Sequence, residues 1–117
     1  MRELTSLDDF AHFLTESETK ALFLFKHSTA CPISAGAFQK YQAFLSKPDQ
    51  QEHAFVKVIE HKAISNEIEN LTGVRHESPQ VLLISHGKVL WHASHRAITE
   101  TTLQTALQEF ENAQGRT

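Results

Sequence analysis

The run Ala21-Leu22-Phe23-Leu24-Phe25 constrains this chain more than any other feature. It lacks the apolar/polar alternation of a half-exposed strand, so it reads as a strand covered on both faces. Such a strand needs a layer of helices on each side of its sheet. The flanking sequence supplies them. Ser6 with Asp9 resembles a capping box, and Leu7, Phe10, Ala11 and Leu14 then repeat at helical spacing, which predicts a helix over roughly residues 7 to 17. After the strand and a polar Ser28-Thr29-Ala30 loop, Pro32 suits the first turn of a helix, which Ile33, Ala37, Tyr41, Phe44 and Leu45 carry towards Pro48. Ala54 to Ile59 is a second β-rich run. Ile64, Ile68 and Leu71 form one face of a further helix, closed by Gly73 at its C′ position. This order implies a right-handed βαβ unit with parallel strands. Val81 to Ile84 and Val89 to Ala93, joined by His86-Gly87, read as an antiparallel hairpin. Thr99 can cap a last helix whose inner face is Leu103, Ala106, Leu107 and Phe110. The expected architecture is α/β, α-βαβα-ββα, in one domain over residues 1–117 with a frayed tail at Gln114-Gly115-Arg116-Thr117.

The charge balance excludes several functions. Eleven basic against 14 acidic residues give a net charge of -3 with no Lys/Arg cluster, so nucleic acid is not an expected partner. No apolar run approaches the roughly 20 residues that span a bilayer. The N-terminus lacks the basic and apolar regions of a signal peptide, and a cytoplasmic location is expected. Of the eight histidines, His92 and His95 fall on a predicted strand three positions apart, which tends to point them to opposite faces; no zinc-type Cys/His spacing is present, and no metal is expected.

Cys31 is the only cysteine, so any disulfide it makes is with another molecule. It falls between the end of the first β-run and the start of a helix, where backbone N–H groups and the helix dipole favour the nucleophilic thiolate. The competing reading is a small buried hydrophobe. Ser34, three residues on, reads either as a hydrogen-bond donor to that thiolate or as a serine satisfying local backbone. Lys26, His27 and Arg75 read either as cations supporting the thiolate or as solvated surface charge.

Lys26-His27-Ser28-Thr29-Ala30-Cys31-Pro32-Ile33-Ser34 resembles the CxxC site of the thioredoxin fold with serine for the second cysteine. More closely it resembles the monothiol bacilliredoxins of the YtxJ type. The similarity continues through Gly73-Val74-Arg75-His76-Glu77-Ser78-Pro79 and the hairpin to the last helix. It implies a thioredoxin-like fold with a four-stranded mixed sheet in the order 4-3-1-2. It also implies Cys31 as the redox residue, Pro79 as a cis-proline and Ser78 as a backbone that pairs with substrate. Cys31 and Ser34 are then catalytic, with Lys26, His27, Pro32, Ile33, Ser78 and Pro79 around the substrate. Lys26 or Arg75 would meet a carboxylate in the malate portion of bacillithiol. Two positions depart from dithiol thioredoxins, which carry a buried acid where this chain has Phe25 and commonly a tryptophan where it has His27.

The activity implied is removal of bacillithiol from S-bacillithiolated proteins by a monomer, with bacillithiol as co-substrate and no tightly bound cofactor. Two other classes compete with it. One is an iron–sulfur carrier of the monothiol-glutaredoxin kind, from whose usual CGFS site Pro32-Ile33 departs. The other is a non-catalytic adaptor in which Cys31 is incidental.

Overall fold

The computed structural model describes residues 1–46 and 53–115. Its centre is β2 (Leu22–His27), buried at every position. The strand lies third in a five-stranded sheet ordered β1-β3-β2-β4-β5, where β1 is Arg2–Glu3, β3 Ala54–Lys57, β4 Gln80–Ser85 and β5 Lys88–Ser94. β1, β3 and β2 run parallel; β4 is antiparallel to β2 and β5 to β4. Leaving β1 aside, this is the expected 4-3-1-2 order. The edge strand β1 is the correction. It is two residues long, held by Arg2 N–H to His53 C=O and Leu4 N–H to Phe55 C=O, both 2.9 Å, and two residues display no periodicity.

The pleat of β2 sorts its side chains into two cores. Leu22 and Leu24 join Ala54, Val56, Leu82 and Ile84 under α1 (Leu7–Glu16) and α3 (Lys62–Thr72). Phe23 and Phe25 join Val81 and Leu83 under α2 (Pro32–Phe44) and α4 (Glu100–Gly115). Burying each such side chain contributes about 1.5–3 kcal/mol. Tyr41, completely buried, donates its hydroxyl to the carbonyls of Ala54 at 2.8 Å and Phe23 at 3.2 Å, tying α2 to two strands. Burial pushes its pKa well above the ordinary tyrosine value.

Local chemistry sets the helix ends. Ser6 Oγ accepts the Asp9 N–H at 3.0 Å, but the Asp9 carboxylate reaches Thr5 N–H and hydroxyl rather than closing a box on Ser6. Thr99 Oγ1 accepts the Thr102 N–H at 3.1 Å, and Thr102 Oγ1 in turn accepts the Thr99 N–H at 3.0 Å. Gly73 ends α3 at φ 72°, and His86 with Gly87 turns the hairpin at φ 55° and 69°, the twist a two-residue hairpin needs.

Several expectations change. The buried face of α1 is Phe10 and Phe13, with Leu7 and Ala11 exposed. Leu71 is 58% exposed, because α3 buries only Ile64, Ser65 and Ile68 and ends at Thr72. β2 extends to His27, two residues beyond the apolar run, so Lys26 and His27 are core rather than surface residues. α2 stops at Phe44, and Pro48 lies outside the described residues. β5 ends at Ser94 and His95 begins a single 3₁₀ turn, while α4 carries helical backbone through Gly115. No helix among the described residues is long and apolar enough to cross a membrane.

Candidate active site

Cys31 caps the N-terminus of α2, half-buried, with extended backbone at φ -116° and ψ 118°. Its C=O accepts the Ala35 N–H at 3.1 Å, so the helix begins at the sulfur-bearing residue. Pro32, next in line, has no N–H to leave unpaired, and the following free N–H groups give this end its positive potential. The loop before it is fixed at both ends. Cys31 N–H bonds to Ser28 C=O at 3.3 Å, and the Thr29 hydroxyl donates to the Glu60 carboxylate at 3.0 Å. Pro32 and Ile33, next in the chain after Cys31, are exposed, Ile33 at 59%.

Ser34 is fully buried. Its hydroxyl accepts the Ser28 N–H at 2.9 Å and lies 2.8 Å from His27 Nδ1. No hydrogen bond to the Cys31 sulfur is present among the described residues, so Ser34 shapes the loop in front of the cysteine. The His27 ring stacks on Phe38 with centroids 4.5 Å apart. Burial lowers its pKa below the ordinary 6.5, with Glu60 opposing and Lys57 assisting, so the ring is neutral near pH 7.

The neighbouring position on β2 faces the other way. Lys26 is fully buried on the α3 side, in register with Gln80 of β4 and Val56 of β3. Its pKa is pushed down to about 8 by burial, against a pull upward from Glu69. Gln80 Nε2 donates to Arg75 C=O at 3.1 Å, and Glu69 accepts the His76 N–H at 2.7 Å. The His76 ring lies 3.2 Å from the Ser65 hydroxyl, and burial together with the Lys26 charge lowers its pKa. These bonds fasten residues 74–78 to α3 and β4. Arg75 itself is exposed.

That segment ends in a cis Ser78-Pro79 bond. Because Lys26 pairs with Gln80, Ser78 and Pro79 sit at the end of the sheet from which the chain leaves β2 for Cys31. Pro79 C=O accepts the His95 N–H at 3.0 Å, whereas the Ser78 backbone has no partner among the described residues and is open to pairing. Gln80, Glu69, Ser65 and His76 went unnoticed in sequence as parts of this support. Only Gln80 left a signal, a polar residue heading an otherwise apolar strand. Among the described residues no group of three or more His, Cys, Asp or Glu side chains could hold a metal ion.

Comparison with solved structures agrees on the fold. A candidate oxidoreductase with a thioredoxin fold superposes with a TM-score of 0.81 at 33% identity, covering 89% of this chain and 90% of the other. Thioredoxin from Fasciola hepatica gives 0.73 at 18% identity over 93% and 98% of the two chains. Mitochondrial thioredoxin 3 from Saccharomyces cerevisiae gives 0.69 at 17% over 93% and 94%. Fold and site together define a thiol oxidoreductase of the thioredoxin fold with one thiol where dithiol members have two. The family model of the monothiol bacilliredoxin BrxC matches residues 2–103. The chain belongs to the monothiol bacilliredoxin family.

Proposed function

We propose that the protein removes bacillithiol from S-bacillithiolated proteins through a mixed disulfide on Cys31. The observation that carries the reading is a half-buried single thiol at the N-terminus of α2, with the buried Ser34 hydroxyl three residues on and already committed to Ser28 and His27. The Cys31 thiolate attacks the bacillithiol sulfur. A new S–S bond forms, the old one breaks, and the client leaves as a thiolate with the electron pair. The open Ser78 backbone pairs with the incoming chain, and exposed Pro32 and Ile33 line its approach. A hydroxyl cannot displace the adduct, so Cys31 holds bacillithiol until a second bacillithiol or another reductant releases it. Bacillithiol is thus a co-substrate, and no tightly bound cofactor enters the cycle. Lys26, fully buried, does not reach a substrate in this arrangement.

Intact mass spectrometry tests the reading. After mixing with a bacillithiolated client and no reductant, the wild type should gain one bacillithiol and the client should lose it. A glutathionylated client should be demodified more slowly. Cys31→Ser should gain nothing and leave the client modified. Demodification by Cys31→Ser, or release of bacillithiol from wild type without added thiol, would refute the monothiol cycle.

A further inference from the structure

Three buried polar atoms at the Cys31 end of the sheet have no hydrogen-bond partner among the described residues: Lys26 Nζ, Ser78 Oγ and Gln80 Oε1. Among the other described side chains only Arg2 Nε shares that condition. An unpartnered buried group is costly and a buried ammonium more so, which makes such a cluster a place where something other than stability keeps the residues. The charged and titratable groups facing Lys26 are Glu69 from α3 and His76 from the 74–78 segment; its neighbours in register, Val56 and Gln80, are uncharged. Glu69 does not cancel the charge by contact, since it accepts the His76 N–H and makes no hydrogen bond to Lys26. A cation with no hydrogen-bonded partner among the described residues, attracted by Glu69 only through space, therefore lies under the segment that ends at Ser78.

We infer that Lys26 makes the site selective for anionic thiol adducts, acting as a positioning residue through its field across residues 74–78 rather than by touching the ligand. The inference rests on the reading of Cys31 as the nucleophile, and it supplies that reading with a reason for preferring bacillithiol, whose malate portion carries carboxylates. The step affected is the thiol–disulfide exchange written above, in which the adduct arrives on Cys31 and the client thiolate departs. Interior charges interact over longer distances than surface ones because water screens them less, so the cation need not be exposed to be felt.

The test uses one client protein loaded with four adducts: bacillithiol, 3-mercaptopropionate (anionic), 2-mercaptoethanol (neutral) and cysteamine (cationic). Rates of client thiol release are compared for wild type and Lys26→Met in the full chain. Comparing the two proteins on each adduct cancels the adduct's intrinsic reactivity. Lys26→Met should slow the two anionic adducts about fivefold, leave the neutral one unchanged and speed the cationic one. In wild type alone, which needs no variant to fold, the ratio of anionic to neutral rates should fall as pH rises through about 8, where Lys26 loses its proton. Equal loss on all four adducts, or a wild-type ratio flat from pH 7 to 9, overturns the inference. A wild type that ranks the three simple adducts by charge yet fails on bacillithiol overturns the debacillithiolation reading and leaves the charge selectivity standing.

Discussion

Replacing Lys26 by methionine, similar in reach and uncharged, should make the protein more stable at pH 7. The buried ammonium titrates at about 8 instead of 10.5, a depression caused by burial and only partly opposed by Glu69. At 1.36 kcal/mol per pKa unit this corresponds to about 3 kcal/mol, of which screening and relaxation leave roughly 2 kcal/mol. The sign follows from proton counting. Below pH 8 folded and unfolded chains both hold the proton, so the penalty is constant and fully felt. Between pH 8 and 10.5 the unfolded chain holds it more tightly, and the stability of wild type rises relative to the variant. Lys26→Met should therefore lead by about 2 kcal/mol at pH 7, or about 8 °C in Tm for a chain of this size, and the lead should shrink as pH approaches 10.5. Tyr41 ionises in the unfolded chain near the top of this range and lowers stability, but equally in both proteins, so the difference isolates Lys26. Urea titrations at pH 7, 8, 9 and 10, followed by Trp91 fluorescence, read the difference directly. A variant no more stable than wild type at pH 7, or a lead that stays constant to pH 10, would show that the ammonium is compensated in the folded state and would refute the reasoning.

Ser34→Ala should cost about 2 kcal/mol, because it leaves the Ser28 N–H and the buried His27 Nδ1 without their shared partner; a loss below about 0.5 kcal/mol in the same titration would mean those bonds contribute little. His53→Ala should cost about 1–3 kcal/mol by orphaning the Phe23 N–H, which now donates to His53 Nδ1 at 2.6 Å in the buried centre of the sheet. Hydrogen exchange at the Phe23 amide should quicken with it, and an amide as protected as in wild type would count against the contact.

What could be read in the sequence was whatever a few consecutive residues settle among themselves. Ala21 to Phe25 announced a strand covered on both faces because no other structure hides such a run. Gly73 and His86-Gly87 announced their turns because a positive φ restricts which residues can stand there. Thr99 announced a helix start by offering an oxygen to the N–H three residues on. β1 stayed hidden because Arg2–Glu3 becomes a strand only through β3 beside it. Leu71 misled because helical period fixes which side of α3 a residue is on, whereas burial also requires something to lie against that stretch of the helix. Ser34 could be placed three residues after Cys31, but its hydroxyl had several possible partners, and choosing His27 and Ser28 depends on the loop path. The same limit explains Lys26, whose composition argues for solvent and whose burial is decided by residues 69 to 80, far along the chain.

The most consequential of these long-range effects arises from the pleat of one strand. Successive residues of β2 point to opposite faces, so the two polar residues that follow its apolar run cannot share an environment. His27 falls on the α2 side, where it stacks on Phe38 and reaches the Ser34 hydroxyl. Lys26 falls on the α3 side, opposite Gln80 and below the segment that ends at Ser78. One residue thereby supports the loop that presents Cys31, and the other lies under the Ser78 backbone, unpaired among the described residues. Were the register between β2 and β4 shifted by one, Lys26 would be carried away from Gln80 and the two supports would no longer meet at the same end of the sheet. The division of Leu22 and Leu24 into one core and Phe23 and Phe25 into the other opposes that shift, since it would exchange leucine for phenylalanine on each face. The strand that holds the fold together thus also fixes where Cys31 and the Ser78 backbone stand relative to each other.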